Sequence, residues 1–138
     1  MRMGLTVAAI LIGSLCGLAL FTFGYARGGS YLTDNPAACA NCHIMEEQHS
    51  GWVKSSHRNV AVCNDCHAPA GLIPKYWTKA VNGFFHSYAF TTGHFEDNIQ
   101  ITARNRSITE RSCSKCHSEI AHGIKGSCIG CHRQVGHH

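Results

Sequence analysis

The chain has no run of basic residues. Its formal charge of +4 comes from scattered Lys and Arg, which offers no track for a nucleic-acid backbone. At 138 residues it is too short for more than one globular domain. It has only three methionines, at positions 1, 3 and 45, so Met45 is the one thioether outside the N-terminal stretch. From Gly4 to Tyr25 (GLTVAAILIGSLCGLALFTFGY) it has no charge at all. As a helix at about 1.5 Å per residue that stretch reaches about 33 Å, enough to cross a bilayer core of about 30 Å. A cleaved signal peptide is the rival reading, with Gly24-Tyr25-Ala26 as a passable cleavage site. An h-region is normally about 7–15 residues, so the longer stretch reads as an uncleaved anchor.

What the chain has in excess is cysteine beside histidine. Cys39-Ala40-Asn41-Cys42-His43 is echoed at Cys63–His67, Cys113–His117 and Cys128–His132. Each Cys-x-x-Cys-His reads as a c-type haem attachment site. Two thiols add to the haem vinyl groups as thioethers, and the adjacent His can reach the iron. The eight cysteines Cys39, Cys42, Cys63, Cys66, Cys113, Cys116, Cys128 and Cys131 are thereby used. Cys16 remains, as a small apolar residue of the anchor. Zinc ribbons also use Cys-x-x-Cys pairs, but they need no His after the second Cys. Disulfides fit worse, since such close pairs staple nothing distant.

Four haems leave about 28 residues each once the anchor is set aside, too few for an ordinary apolar core. The expected fold is mainly α and irregular: a multihaem cytochrome c wrapped around four haems, with one N-terminal transmembrane helix. Residues 1-28 form the anchor and 29-138 the tetrahaem domain. Haem propionates, about −8 in all, also cancel the basic formal charge. Arg2 and the N-terminal amine favour a cytoplasmic N-terminus. Haem attachment to c-type cytochromes takes place outside the cytoplasmic membrane, so the haem domain faces the periplasm.

Seven histidines lie outside the motifs: His49, His57, His86, His94, His122, His137 and His138. Electron-carrying haems usually take two strong axial ligands, so some of these reach irons, His137 among them. Spacing cannot pair them. Met45 follows His43 by two and is either a ligand or a filler on a haem face. The motifs open at Cys39, Cys63, Cys113 and Cys128, at intervals too uneven for a solenoid. The long gap between the second and third holds an amphipathic helix, 73–90. Trp77, Ala80, Val81, Phe84, Phe85 and Tyr88 form its apolar side, and Lys75, Lys79, Asn82 and His86 its polar side. It suits a membrane–water interface, or else packs its aromatics on a haem. Before the first motif, Asp34 or Asn35 can cap a helix opened by Pro36. Residues 91–111 read as a polar connector.

CANCHIM, SSHRNVAVCNDCH and KYWTKAVNGFFHSYAF, with the N-terminal anchor, resemble the NapC/NirT family of membrane-anchored multihaem quinol dehydrogenases over essentially the whole chain. The resemblance implies that Met45, not His43, ligates the first haem. It implies His67 for the second, with its other ligand from a partner; His117 for the third, with His137 opposite; and His132 for the fourth, with His57 opposite. Lys79 matches the family's quinol-binding lysine. Where the family often has an acidic residue seven positions on, this chain has His86.

The implied reaction is menaquinol oxidation in the inner membrane. Lys79 would hold the quinol oxygen and His86 would accept a proton, its ordinary pKa of about 6.5 being suited to that task. Electrons would pass to a periplasmic multihaem nitrite reductase subunit within a hetero-oligomer. The short chain and CxxCHxM favour that acceptor over a periplasmic nitrate reductase. A haem-based ligand sensor is the alternative from another class.

Overall fold

The computed structural model describes residues 2–121, 123 and 125–137. All regular structure among them is helical. The chain divides into two compact units, Met1–Thr33 and Asp34–His138.

The first unit is helix α1 (Arg2–Tyr25), followed by a 3₁₀ turn at Gly28–Leu32. Its 24 residues span about 36 Å, and every described side chain of the helix is exposed. Arg27 leaves the helix in the left-handed region, at φ 50. A Cβ on Gly28 would meet the Phe23 ring at 2.4 Å, so only glycine lets the turn lie that close.

The second unit holds α2 (Pro36–Cys39), a 3₁₀ turn His43–Met45, α3 (Glu46–Lys54), α4 (Cys63–His67), α5 (Leu72–Thr92), α6 (Ala103–Cys116), α7 (Ser118–Ala121) and α8 (Cys128–Cys131). Asn35 caps α2, its Oδ1 accepting from Ala37 N at 3.0 Å. Asp34 is thereby released for another use. Helix α5 outruns its expected limits by a residue or two at each end. It tolerates Pro74 because first-turn N–H groups have no helical partner. Gly71 (φ 92) leads in, and Gly93 closes it in the left-handed region, at φ 70.

The expected polar connector 91–111 is half helix. Thr102 caps α6 by accepting from Asn105 N at 3.3 Å. Arg104 and Asn105 then reach α5, at Thr78 Oγ1 (3.4 Å) and Asn82 Oδ1 (3.3 Å). These two contacts turn a stretch that lacks apolar periodicity into a packed helix.

Helix α5 is reversed relative to an ordinary amphipathic helix. It buries Thr78 and Lys79, while Trp77, Phe84, Phe85 and Tyr88 are more than half exposed. Among the described residues the buried apolar side chains are Ala68 and Ile108. Two side chains cannot offset the conformational entropy of a fold this long. The polypeptide is therefore a shell whose interior must be supplied by something else.

Candidate haem-attachment and quinol site

Each motif is carried at a helix end or as a short helix. The second and fourth are the short helices α4 and α8 themselves, and the third closes α6. One helical turn puts Cys i and i+3 on the same face, which lets both sulfurs reach one edge of a planar ring. In the first motif Cys39 ends α2 and Cys42 precedes the 3₁₀ turn. There His43 is exposed and Met45 half-buried.

The motifs touch in chain order. Cys39 and Cys63 lie within hydrogen-bond reach. Cys66 and Cys116 feel one another's charge, and Cys113 and Cys128 are in hydrogen-bond contact. The hydrogen bond from Cys63 draws the free Cys39 thiol down to about 7, helped by the nearby Lys79 charge, while burial opposes. The same bond, with burial, pushes Cys63 well up. Among the described residues no three of His, Cys, Asp and Glu gather as a metal-ion cluster.

The histidines are arranged in facing pairs. His57 faces His117 with ring centroids 6.2 Å apart, and His67 faces His137 at 5.9 Å with planes 14° apart. Two imidazoles bound to one metal at about 2 Å would have ring centroids about 6 Å apart, which is the range of both separations. The Val135 carbonyl accepts from His57 Nδ1 at 3.1 Å, which fixes the tautomer leaving Nε2 for a metal. Burial and the His137 charge hold the His67 pKa below its ordinary value.

His57 faces His117 rather than His132, and His137 faces His67 rather than His117. The partners are remote in the chain and meet through the fold, and spacing carries no record of that. His132 is exposed and lies on an open surface hollow with Cys131, Arg133, Gln134 and Val135. His49 lies 5.7 Å from the Trp52 ring, and His94 is exposed. His122 and His138 lie outside the described residues.

Lys79 is buried, at 8% exposure. Its Nζ sits 3.3 Å from Asp34 Oδ1 and 5.5 Å from the Tyr76 ring centroid. Asp34 Oδ2 takes Lys75 Nζ at 2.5 Å, and Oδ1 also takes Asn64 Nδ2 at 2.6 Å. With Lys75 foremost, these donors hold Asp34 down at about 2, and Asp34 in turn raises Lys75. Reading Asp34 as a candidate cap hid this role. The signal available was two lysines one turn apart on one face, which call for a counter-charge. His86, two turns beyond Lys79, is more than a third exposed, yet its neighbours desolvate the ring enough to lower its pKa.

Residues 2–121 match the model of the NapC/NirT cytochrome c family, N-terminal region. The cytochrome c-type protein NrfH of Wolinella succinogenes is 32% identical over 88% of this chain and 78% of its own length. The cytochrome c nitrite reductase subunit NrfH of Nitratidesulfovibrio vulgaris is 35% identical over 93% and 82%. A crystal structure of the cytochrome c nitrite reductase NrfHA complex bound to the HQNO inhibitor superposes with a TM-score of 0.68. It is 31% identical and covers 91% of this chain and 88% of that one.

Proposed function

The chain belongs to the NapC/NirT cytochrome c family, and on that premise we propose that it is the membrane-anchored tetrahaem subunit that oxidises menaquinol for a periplasmic nitrite reductase. The NrfH relatives and the NrfHA complex support this acceptor, and the inhibitor in that complex supports a quinol-type site. Residues 1–28 act as anchor and 29–138 as the periplasmic domain.

The observation that carries the reading is the buried Lys79, whose charge reaches the first attachment cysteine. A buried ammonium costs free energy unless it is paired, and Asp34 pairs it at 3.3 Å. Lys79 then donates to the quinol oxygen, with Asp34 and Lys75 fixing where it points. His86 accepts a quinol proton, since desolvation favours its neutral, basic form. Covalently bound haem supplies the one-electron couples that quinol oxidation needs.

The ligand sets follow the facing rings. Met45 serves the first site, which the exposed His43 supports. His67 with His137 serves the second, and His117 with His57 the third. His132 serves the fourth. In the test of the quinol site, Lys79→Leu abolishes reduction of the haems by quinol and leaves reduction by dithionite intact. Normal quinol turnover in that variant removes Lys79 from the site.

A further inference from the structure

Helix α6 does more than carry the third motif. Glu110, one turn before Cys113, reaches the start of the fourth. Its carboxylate accepts from Cys128 N at 3.0 Å and from the Ser127 hydroxyl. Lys115, between Cys113 and Cys116, reaches the end of the second. Its Nζ donates to the carbonyls of Asp65 and Ala68 at 3.0 Å each. Each charge complements the helix end it touches, an anion at an N-terminus and a cation at a C-terminus. One helix therefore seats opposite charges on the attachment segments to either side of its own.

We propose that α6 grades the reduction potentials of the haem sites it joins, Lys115 raising that of the second motif and Glu110 lowering that of the fourth. Reduction adds one electron to a site and makes it more negative by one charge. A nearby cation favours that change and a nearby anion opposes it. The third motif lies beside both, and their effects there oppose. The grading rests on haem attachment at these motifs, and a plain packing role is the competing account.

The test uses the full-length holoprotein in detergent, with Lys115→Met, Lys115→Arg and Glu110→Gln. Haem content is measured first; wild-type protein without covalent haem would defeat the attachment reading itself. Redox titration then follows haem absorbance. Lys115→Met shifts one or two haems down and Glu110→Gln shifts one or two up. Each shift reaches about tenfold in the reduction equilibrium, or about 59 mV for one electron. Lys115→Arg keeps wild-type potentials. Shifts of the same sign in Lys115→Met and Glu110→Gln, or no shift in either, overturn the proposal. So does a Lys115→Arg shift as large as that of Lys115→Met. If Lys115→Met fails to load haem, Glu110→Gln decides: an upward shift supports the grading and an unchanged titration ends it.

Discussion

Replacing Asp34 with Asn removes one charge and almost no volume, so it isolates what the carboxylate contributes. The carboxyl falls from its ordinary 3.8 to about 2, the Lys75 hydrogen bond being the largest cause. Counted in full, at about 1.4 kcal/mol per pH unit, that fall would be worth about 2.5 kcal/mol. Half of the Asp34 side chain is open to solvent, however, and Lys75 is a quarter exposed. Screened pairs of this kind contribute about 0.2–1 kcal/mol each. Lys79, at 9% side-chain exposure, sits at the upper end of that range. On that scale the two pairs together stabilise the fold by roughly 1 kcal/mol, and by less than the full count. The folded pKa lies below the unfolded one, so this contribution is complete above pH 3.8. It is lost as pH falls from there towards 2. Thermal unfolding of the haem-loaded protein in detergent should show Asp34→Asn less stable at neutral pH, with the gap closing below pH 3.8. Its quinol-driven haem reduction should fall by up to about fivefold, since about 1 kcal/mol of Lys79 positioning is a factor of about five. Equal stability at pH 7, with quinol reduction within twofold of wild type, would refute the reasoning.

Met45→Ala should change the absorption and spin state of one haem and leave the others alone; an unchanged spectrum returns Met45 to a packing role. The facing rings predict that His57→Ala and His117→Ala disturb the same haem. The double variant should then alter one haem spectroscopically, whereas two altered haems would restore the pairing expected from sequence. Trp52→Phe removes the Nε1–H donor to Ala61 O, a 3.0 Å bond that pins the stretch entering the second motif. It should cost about 1 kcal/mol of stability, read as a lower midpoint in the same unfolding assay.

The attachment cysteines, the α5 helix and the N-terminal apolar helix were legible in sequence because each is local. A turn of helix, a fixed spacing or an uncharged run is enough to mark them. What was not legible is long-range. Asp34 meets Lys75 and Lys79 from a remote part of the chain, and nothing near Asp34 points to them. A better-known role, capping before Pro36, was available to it and was filled by Asn35 instead. Glu110 sits in a stretch that reads as a polar connector, and Lys115 inside the third motif, because their helix is held by polar contacts to neighbouring segments rather than by an apolar stripe. The histidine ring contacts are long-range in the same way: His57 and His137 return beside His117 and His67.

The aromatic side of α5 was legible as a face, and the reading of a helix at the membrane–water interface has that face exposed. Interior-facing aromatics are the usual outcome for a soluble helix, yet Trp77 and Phe84 point outward here. The inward positions go to Thr78 and Lys79, and Lys79 is the residue that the proposed chemistry requires near the first motif.

The most direct test of the central claim supplies a reduced naphthoquinol, and then nitrite, to the protein isolated gently in detergent with its co-purifying subunits. Haem absorbance and ammonium are followed together. The account predicts that quinol reduces the haems and that nitrite reoxidises them with formation of ammonium. Haems that stay oxidised with quinol yet reduce with dithionite would contradict it.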